Sequence, residues 1–466
     1  MRKPLIPVVW LVVGLTFLSC GGSSSPGGGT HTSGIKYRAF VSNTVSAGGT
    51  SIAGLYIVNA QTDVHPLGLG PISAGNTPGM MVVTPNRVAT LVYSGYNTSN
   101  PDNQFSIITN ASESNTSHLT LKGYTQSMVV SPDSSTAYVA EPEAAVTGQS
   151  QGAIQVIALT GANAGTVIGE IDIPGVQYLS INNGGDRILA FSQLSDSIAV
   201  VTPSNLNTSQ PVVTYVGGFD RPVQGYFSSD DTTAYIVNCG AECGGTEASV
   251  QQFDMTTSTF GSSLPACTPA SGLTPAQCGG SVELVDGSTM YLAGTPYGTN
   301  GRPSQACTGQ TTAAKTCGLL FVIDLSSMTI TGSAIITDGY HNRIAMGANG
   351  QLFIGASDCT EIIPPVPPPQ GAEVRGCLSI YNTLNTAVGS NPAGSVVIPP
   401  ENGNVTGIAP IPTRNVVYVV QGYPTPGGSL FIYDATMDAL QAPPNNEPTY
   451  APLMVGNFYD VKTIDF

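Results

Sequence analysis

Charge is what this chain has least of. Asp, Glu, Lys and Arg together make up 9% of its 466 residues, against roughly 25% in a typical soluble domain. Only 14 side chains are Lys or Arg, and the net charge is −15. No basic stripe is present to neutralise phosphates, so no nucleic-acid partner is expected. The acidic balance is otherwise a matter of solubility. Long segments with 3.6-residue apolar spacing are also missing, which argues against long amphipathic helices. The four histidines, His31, His65, His118 and His341, are isolated from one another in the chain. An isolated histidine by default fills a structural, hydrogen-bonded role. No H-E-x-x-H, C-x-x-C-H, G-x-S-x-G, Walker or EF-hand pattern occurs. The usual signals of zincins, c-type haem proteins, serine hydrolases, nucleotide binders and EF-hands are therefore absent, and no catalytic residue, cofactor or metal is expected.

What the chain does have is 55 Gly, 35 Pro and a polarity carried by Ser, Thr, Asn and Gln. That mixture suits many short strands joined by turns.

The N-terminus opens with Arg2 and Lys3, followed by an apolar run of 14 residues from Leu5 to Leu18. The run is short for a membrane span and of the right length for a signal peptide. "FLSC" and a Gly/Ser-rich stretch follow directly. This resembles the lipobox of bacterial lipoproteins, with Ser19 and Gly21 flanking Cys20 as in that pattern, while Phe17 and Leu18 depart from it. The resemblance implies a signal peptide over 1–19 and diacylated Cys20 as the mature N-terminus. Residues 20–36 then form a flexible tether, and 37–466 the folded domain.

The other cysteines lie between 239 and 377 as Cys239 and Cys243, Cys267 and Cys278, Cys307 and Cys317, Cys359 and Cys377. Eight cysteines allow 105 connectivities, so spacing alone fixes none. Each sequential pair nevertheless sits in a loop between strand signals, and export implies an oxidising compartment. Four local disulfides are the expectation. A metal site would need C-x2-C or Cys/His spacing, which is missing.

One phrase organises the rest. "SPDSSTAYVAE" (131–141) returns as "SSDDTTAYIVN" (228–238). A tight turn leads into a strand whose apolar residues are adjacent rather than alternating, which requires cover on both faces. Related inner strands occur at 37–43, 89–95, 136–142, 187–193, 233–239, 289–295, 351–357 and 416–422. A second strand follows each. Seven of the eight have an apolar strand just upstream; the first has none, and "FYDVKTIDF" (458–466) stands alone at the other end. A ring whose C-terminal strand joins the N-terminal blade explains both orphans. The expected fold is all-β: a single β-propeller of eight four-stranded blades, with seven as the alternative. At these residues the chain resembles YVTN-type β-propeller repeat proteins of bacterial surfaces. Such propellers include lactonase-like enzymes and many binding modules, so the resemblance speaks for fold and little else.

Propeller ligands usually sit at the end of the central channel, among the loops into the innermost strands. Those loops contribute Tyr124, Gln126, Gln177, Arg221, Gln224, His341, Arg343, Asn404 and Tyr459, with Asp220 and Asp460 as nearly the only carboxylates. Gln126, Gln177, Arg221, Gln224, His341, Arg343 and Tyr459 are the candidate ligand-binding residues, and the set favours a polar or anionic ligand over a divalent cation. The expectation is an exported, lipid-anchored monomer of the bacterial cell envelope, held to a membrane by its N-terminus. It would act as a non-catalytic binding or scaffold module for a small ligand or a protein. The alternative is a lactonase-like or hydrolase-like enzyme working at the channel mouth.

Overall fold

The two copies of the repeated phrase fold the same way. Ser131 Oγ donates to Asp133 Oδ1 at 2.6 Å, and Ser228 Oγ donates to Asp230 Oδ1 at 2.7 Å. The same carboxylate oxygens accept the amide and hydroxyl of Ser135 in one copy and of Thr232 in the other. Thr136 and Thr233 then return their amides to the serine hydroxyls, each at 3.0 Å. These hydroxyl and amide donors, led by Ser131 and Ser228, hold both carboxyls below the usual range. The fourth residue of each turn, Ser134 or Asp231, lies in the left-handed region at φ 61° and 59°. From there its side chain reaches the preceding blade. Ser134 accepts from the Asn86 amide, and Asp231 from Asn182, Asn183 and Gly184.

The computed structural model describes residues 32–44, 52–96, 101–267, 278–298, 302–303, 318–357, 377–384, 391–399, 403–422, 428–441 and 453–466. They form eight antiparallel sheets in a ring, with a separate two-stranded ribbon of Tyr297–Gly298 and Arg302–Pro303. From the innermost strand outward, blade 1 is Phe458–Thr463, Arg38–Asn43 and Gly54–Asn59. Isolated bridges Leu55–Ile72 and Asn59–Val64 stand at its outer edge in place of a continuous fourth strand. The innermost strands of blades 2 to 5 are Pro78–Val83, Ser127–Val130, Val176–Ile181 and Pro222–Phe227. Those of blades 6 to 8 are Val282–Asp286, Tyr340–Met346 and Asn404–Ile411. In blade 8, Ala439–Leu440 and Met454–Val455 share the outer edge of Gly428–Asp434.

Non-alternating strands imply burial on both faces, and the structure supplies it. All six residues of Arg38–Asn43 and of Ala153–Ala158 are buried. Apolar clusters fill every blade interface, from Phe40, Met81 and Val92 between blades 1 and 2 round to Val41, Tyr418 and Val461 between blades 8 and 1. Outermost strands such as Ser114–Thr120 and Thr259–Pro265 are polar and largely exposed, so they carry little sequence signal.

Ion pairs lock the ring where the chain ends meet. Arg38, fully buried, donates from Nε and Nη2 to Asp465 at 2.7 and 2.6 Å, and from Nη1 to Glu113 at 2.8 Å. Asp63 of blade 1 accepts from Arg414 and Tyr418 of blade 8. Burial pushes the Asp63 carboxyl up, but Arg414 and Tyr418 outweigh it and hold the group below the carboxylate range.

Strand direction sorts the connections onto two faces. Turns such as 131–135 and 228–232 join first to second strands on one face, which also carries the connections after each third strand, some short and others, such as 202–212, longer. The loops after second strands, and those into each next innermost strand, lie on the other face, which therefore carries Cys239, Cys243, Cys267, Cys278 and Cys377, the folded-domain cysteines among the described residues. On the short-turn face Thr32 Oγ1 donates to Ser112 O, and the Ser33 amide and hydroxyl donate to Glu113.

Candidate functional site

On the loop face, a cavity of about 250 Å³ opens between blades 4, 5 and 7. Its position follows from local structure. Innermost strands shift register near their starts, between Val176 and Tyr178, Pro222 and Gln224, and His341 and Arg343. Bulges re-aim side chains next to sites. Here they bring Gln177, Tyr178, Val223 and Tyr340 to the cavity wall.

The loop after the second strand of blade 5 supplies an acid. Cys239 and Cys243 are joined by a disulfide around the short turn Ala241–Cys243. Asp220 accepts the amides of Thr246 and Glu247, folding the loop back on itself. Gly240 sits at φ 67°, where an added Cβ would lie 2.2 Å from the Ala248 amide nitrogen, so this position requires glycine. Glu242 is thereby directed into the cavity. Its Oε2 accepts from the Thr295 amide and its Oε1 from Ser281 Oγ, both at 3.1 Å. Burial pushes its carboxyl up to about 8, although those two donors work the other way. At neutral pH the group is mostly a neutral acid, able to donate a hydrogen bond.

Tyr178 and Tyr340 face each other with hydroxyls 3.5 Å apart. Burial, Tyr178 and Glu242 raise the Tyr340 hydroxyl far above its ordinary value, so it stays a neutral donor. Arg221 lies at the rim, donating to the carbonyls of Leu194 and Gly244, with Asp196 Oδ1 at 3.4 Å.

The sequence-predicted residues separate in space. Gln177 and Arg221 line this cavity. Gln224 accepts the Glu283 amide and ties blade 5 to blade 6. Gln126 is half-buried ahead of Ser127–Val130, outside the lining. His341 is fully buried with Nδ1 3.3 Å from Thr295 Oγ1, and burial drives its imidazole down to about 4. Tyr459 lies against Tyr96 at a 34° tilt with ring centroids 4.0 Å apart, and Tyr93 and Tyr124 meet the Tyr96 ring edge-on. Arg343 donates to Thr406 O and Asn342 O and lines a second cavity lower in the channel.

Sequence reasoning missed three carboxyls. Glu141, Glu242 and Glu283 are each pushed up to about 8, with burial the largest cause. Glu242 had a signal, since it lies inside an expected disulfide. Glu283 had another, as the acid of the innermost strand "SVELVDG".

The disulfides Cys239–Cys243 and Cys267–Cys278 are formed, and Cys377 is also disulfide-bonded. Bonds of this kind persist in oxidising compartments. Cys20, Cys307, Cys317 and Cys359 lie outside the described residues. Among the described residues no group of three or more His, Cys, Asp or Glu is placed to hold a metal. No helix among them is long and apolar enough to cross a membrane.

No protein-family model and no curated protein matches the chain. Among solved structures it is similar to dihydro-heme d1 dehydrogenase NirN in complex with DHE, at 10% identity over 92% of this chain and 75% of that one, with a TM-score of 0.57. It is also similar to Kuenenia stuttgartiensis hydrazine synthase, at 15% identity over 66% of this chain and 76% of that one, with a TM-score of 0.45. A third similarity is to the β-propeller domain of Myceliophteria thermophila Cps50 (Swd1), at 12% identity over 69% and 86%, with a TM-score of 0.42. At such identities the likeness to NirN shows the fold alone: the chain is an eight-bladed β-propeller.

Proposed function

We propose that this propeller is an exported, lipid-anchored binding module that takes a small polar ligand in the cavity at its channel mouth. One observation carries the reading: Glu242, Tyr178, Tyr340, Gln177 and Arg221 converge from three blades on one concave site. Two tyrosine faces, a neutral acid and an amide suit a hydroxyl-rich neutral molecule better than a strong anion, because the nearby Arg221 already leans on carbonyls and Asp196. The lipobox-like "FLSC" and the resemblance to YVTN-type surface proteins support export and anchoring at Cys20. The disulfides fit the same compartment.

The test is a thermal-shift screen against sugars and polyols, since a ligand of the native state raises its melting temperature. Tyr340→Phe and Glu242→Gln should each reduce the shift. A shift that both variants keep, or none with any sugar or polyol, refutes the site. Cys20→Ser should release the protein from membranes; retention would refute the anchor. A second reading, a hydrolase, is favoured by Glu242 alone, because a raised carboxyl in a cleft suits general-acid work. Turnover of lactone or ester substrates, abolished by Glu242→Gln, would establish it.

A further inference from the structure

A different cavity, about 490 Å³ in volume, occupies the lower half of the central channel and faces the short-turn end. It is lined by Arg87, Arg343 and Lys462. The whole chain has only 14 basic residues and a net charge of −15, so three cations around one cavity are a strong local departure from its composition. The one carboxylate in the lining is Asp460. It is already engaged, accepting from the Met81 amide at 2.9 Å, the Val461 amide at 2.8 Å and Lys462 Nζ at 3.0 Å.

Neither arginine has a carboxylate ion pair among the described residues. Arg87 Nη1 donates to the carbonyls of Thr463 and Ile464 at 3.0 and 3.1 Å. Arg343 donates from Nε to Thr406 O at 2.6 Å and from Nη1 to Asn342 O at 2.8 Å. Carbonyls orient a guanidinium without cancelling its charge, and on both residues Nη2 keeps its donors free of any partner among the described residues. Three cations against one carboxylate leave an excess of two positive charges, in a concavity whose walls strengthen electrostatic attraction. Apart from Thr463, the rest of the lining is apolar, including Met80, Val82, Ile408 and Pro410. The volume falls in the range of small-molecule sites.

We infer that the lower channel binds a small organic dianion, a dicarboxylate or a phosphate monoester, between Arg87, Arg343 and Lys462. Two acidic oxygens meet the free Nη2 groups and the ammonium, and the carbon body lies against the methionine, valine and proline wall. None of these three cations lines the upper cavity, although Arg343 lies close enough to interact electrostatically with its Tyr178 and Tyr340.

The experiment is calorimetric titration of the full chain at fixed ionic strength with succinate, glycerol 3-phosphate and neutral butane-1,4-diol. Saturable binding of at least one dianion and none of the diol is expected. Arg343→Met and Lys462→Met should each weaken it by about tenfold or more, the loss of one charge-assisted contact. Lys462→Arg keeps the charge and should keep the binding, which separates lost contact from lost fold. Arg221→Met, at the upper rim, should leave it unchanged. Binding of succinate alone identifies a dicarboxylate, and of glycerol 3-phosphate alone a phosphate ester. The inference is overturned if neither dianion saturates, if both Met variants bind like the parent, or if Arg221→Met removes binding.

Discussion

Replacing Glu242 by Gln makes the protein more stable at mildly alkaline pH and leaves it unchanged at acidic pH. The reason lies in the buried carboxyl. Its folded value, about 8, lies above the ordinary glutamate value of 4.5, so the folded state holds the proton more tightly than the unfolded chain does. Its contribution is complete below the unfolded value and is lost as pH rises through the folded one. Across that window each pH unit is worth at most ~1.4 kcal/mol. Between about pH 5.5 and 7.5 the ceiling is ~2.7 kcal/mol; the cavity leaves Glu242 partly open to water, so about 1–2 kcal/mol is expected. Gln mimics the neutral acid and removes the titration. For a domain of this size, with unfolding entropy of about 2.1 cal/mol/K per residue, that is a difference of about 1–2 °C in melting temperature. The assay is urea or thermal unfolding of parent and variant across this pH range. Subtracting the variant's curve cancels the shared titrations of Glu141, Glu283 and His341. Parallel curves with a constant offset would refute the argument.

Four further outcomes follow from the same structure. Arg38→Met removes the buried guanidinium that pairs with Asp465 and Glu113 at the ring closure; removing one partner of a buried pair costs about 3–5 kcal/mol, to be read from the urea midpoint. Asp231→Ala removes the acceptor for Asn182, Asn183 and Gly184 of the neighbouring blade and should cost about 1–3 kcal/mol by the same measurement. His341, driven down to about 4 by burial, favours folding above its unfolded value and loses that contribution as pH falls toward 4; His341→Gln should flatten the acid limb of the stability curve. Gly79→Ala places a Cβ 2.0 Å from the Tyr96 ring, so it should cost about 1–3 kcal/mol and disturb tyrosine near-ultraviolet dichroism.

The ring was legible because its cause is local. Adjacent apolar residues in inner strands announce two-sided burial, and the unpaired strands at 37–43 and 458–466 announce closure. Even "NNGGDRILAF", which departs from the repeated phrase, keeps its logic: Asn182 donates to Asp186 and accepts the Arg187 amide, a substitute for the Ser–Asp pair of other turns. Outer strands were hidden because their solvated faces impose no pattern. The site was only partly legible for a different reason. Loop residues share a face of the ring, but which of them share a cavity depends on bulges and on the reach of side chains across the channel. Gln177 and Arg221 meet at the mouth; Arg343, on an innermost strand as well, lies deeper. Arg87 and Lys462 escaped notice because one belongs to a short turn and the other to the closing strand, far from any loop expected to hold ligand.

Thr32 and Ser33 hydrogen-bond on the short-turn face, so the first described residues lie on that side of the ring. If Cys20 carries a lipid, as proposed, this would set the polarity of the whole particle. The upper cavity and the described cysteines would look outward, where diffusing molecules arrive, while the lower channel would open toward the bilayer. The two concave sites would then sample different surroundings: one the bulk medium, the other the thin layer beside the headgroups, where anions are repelled and only a tight receptor retains one.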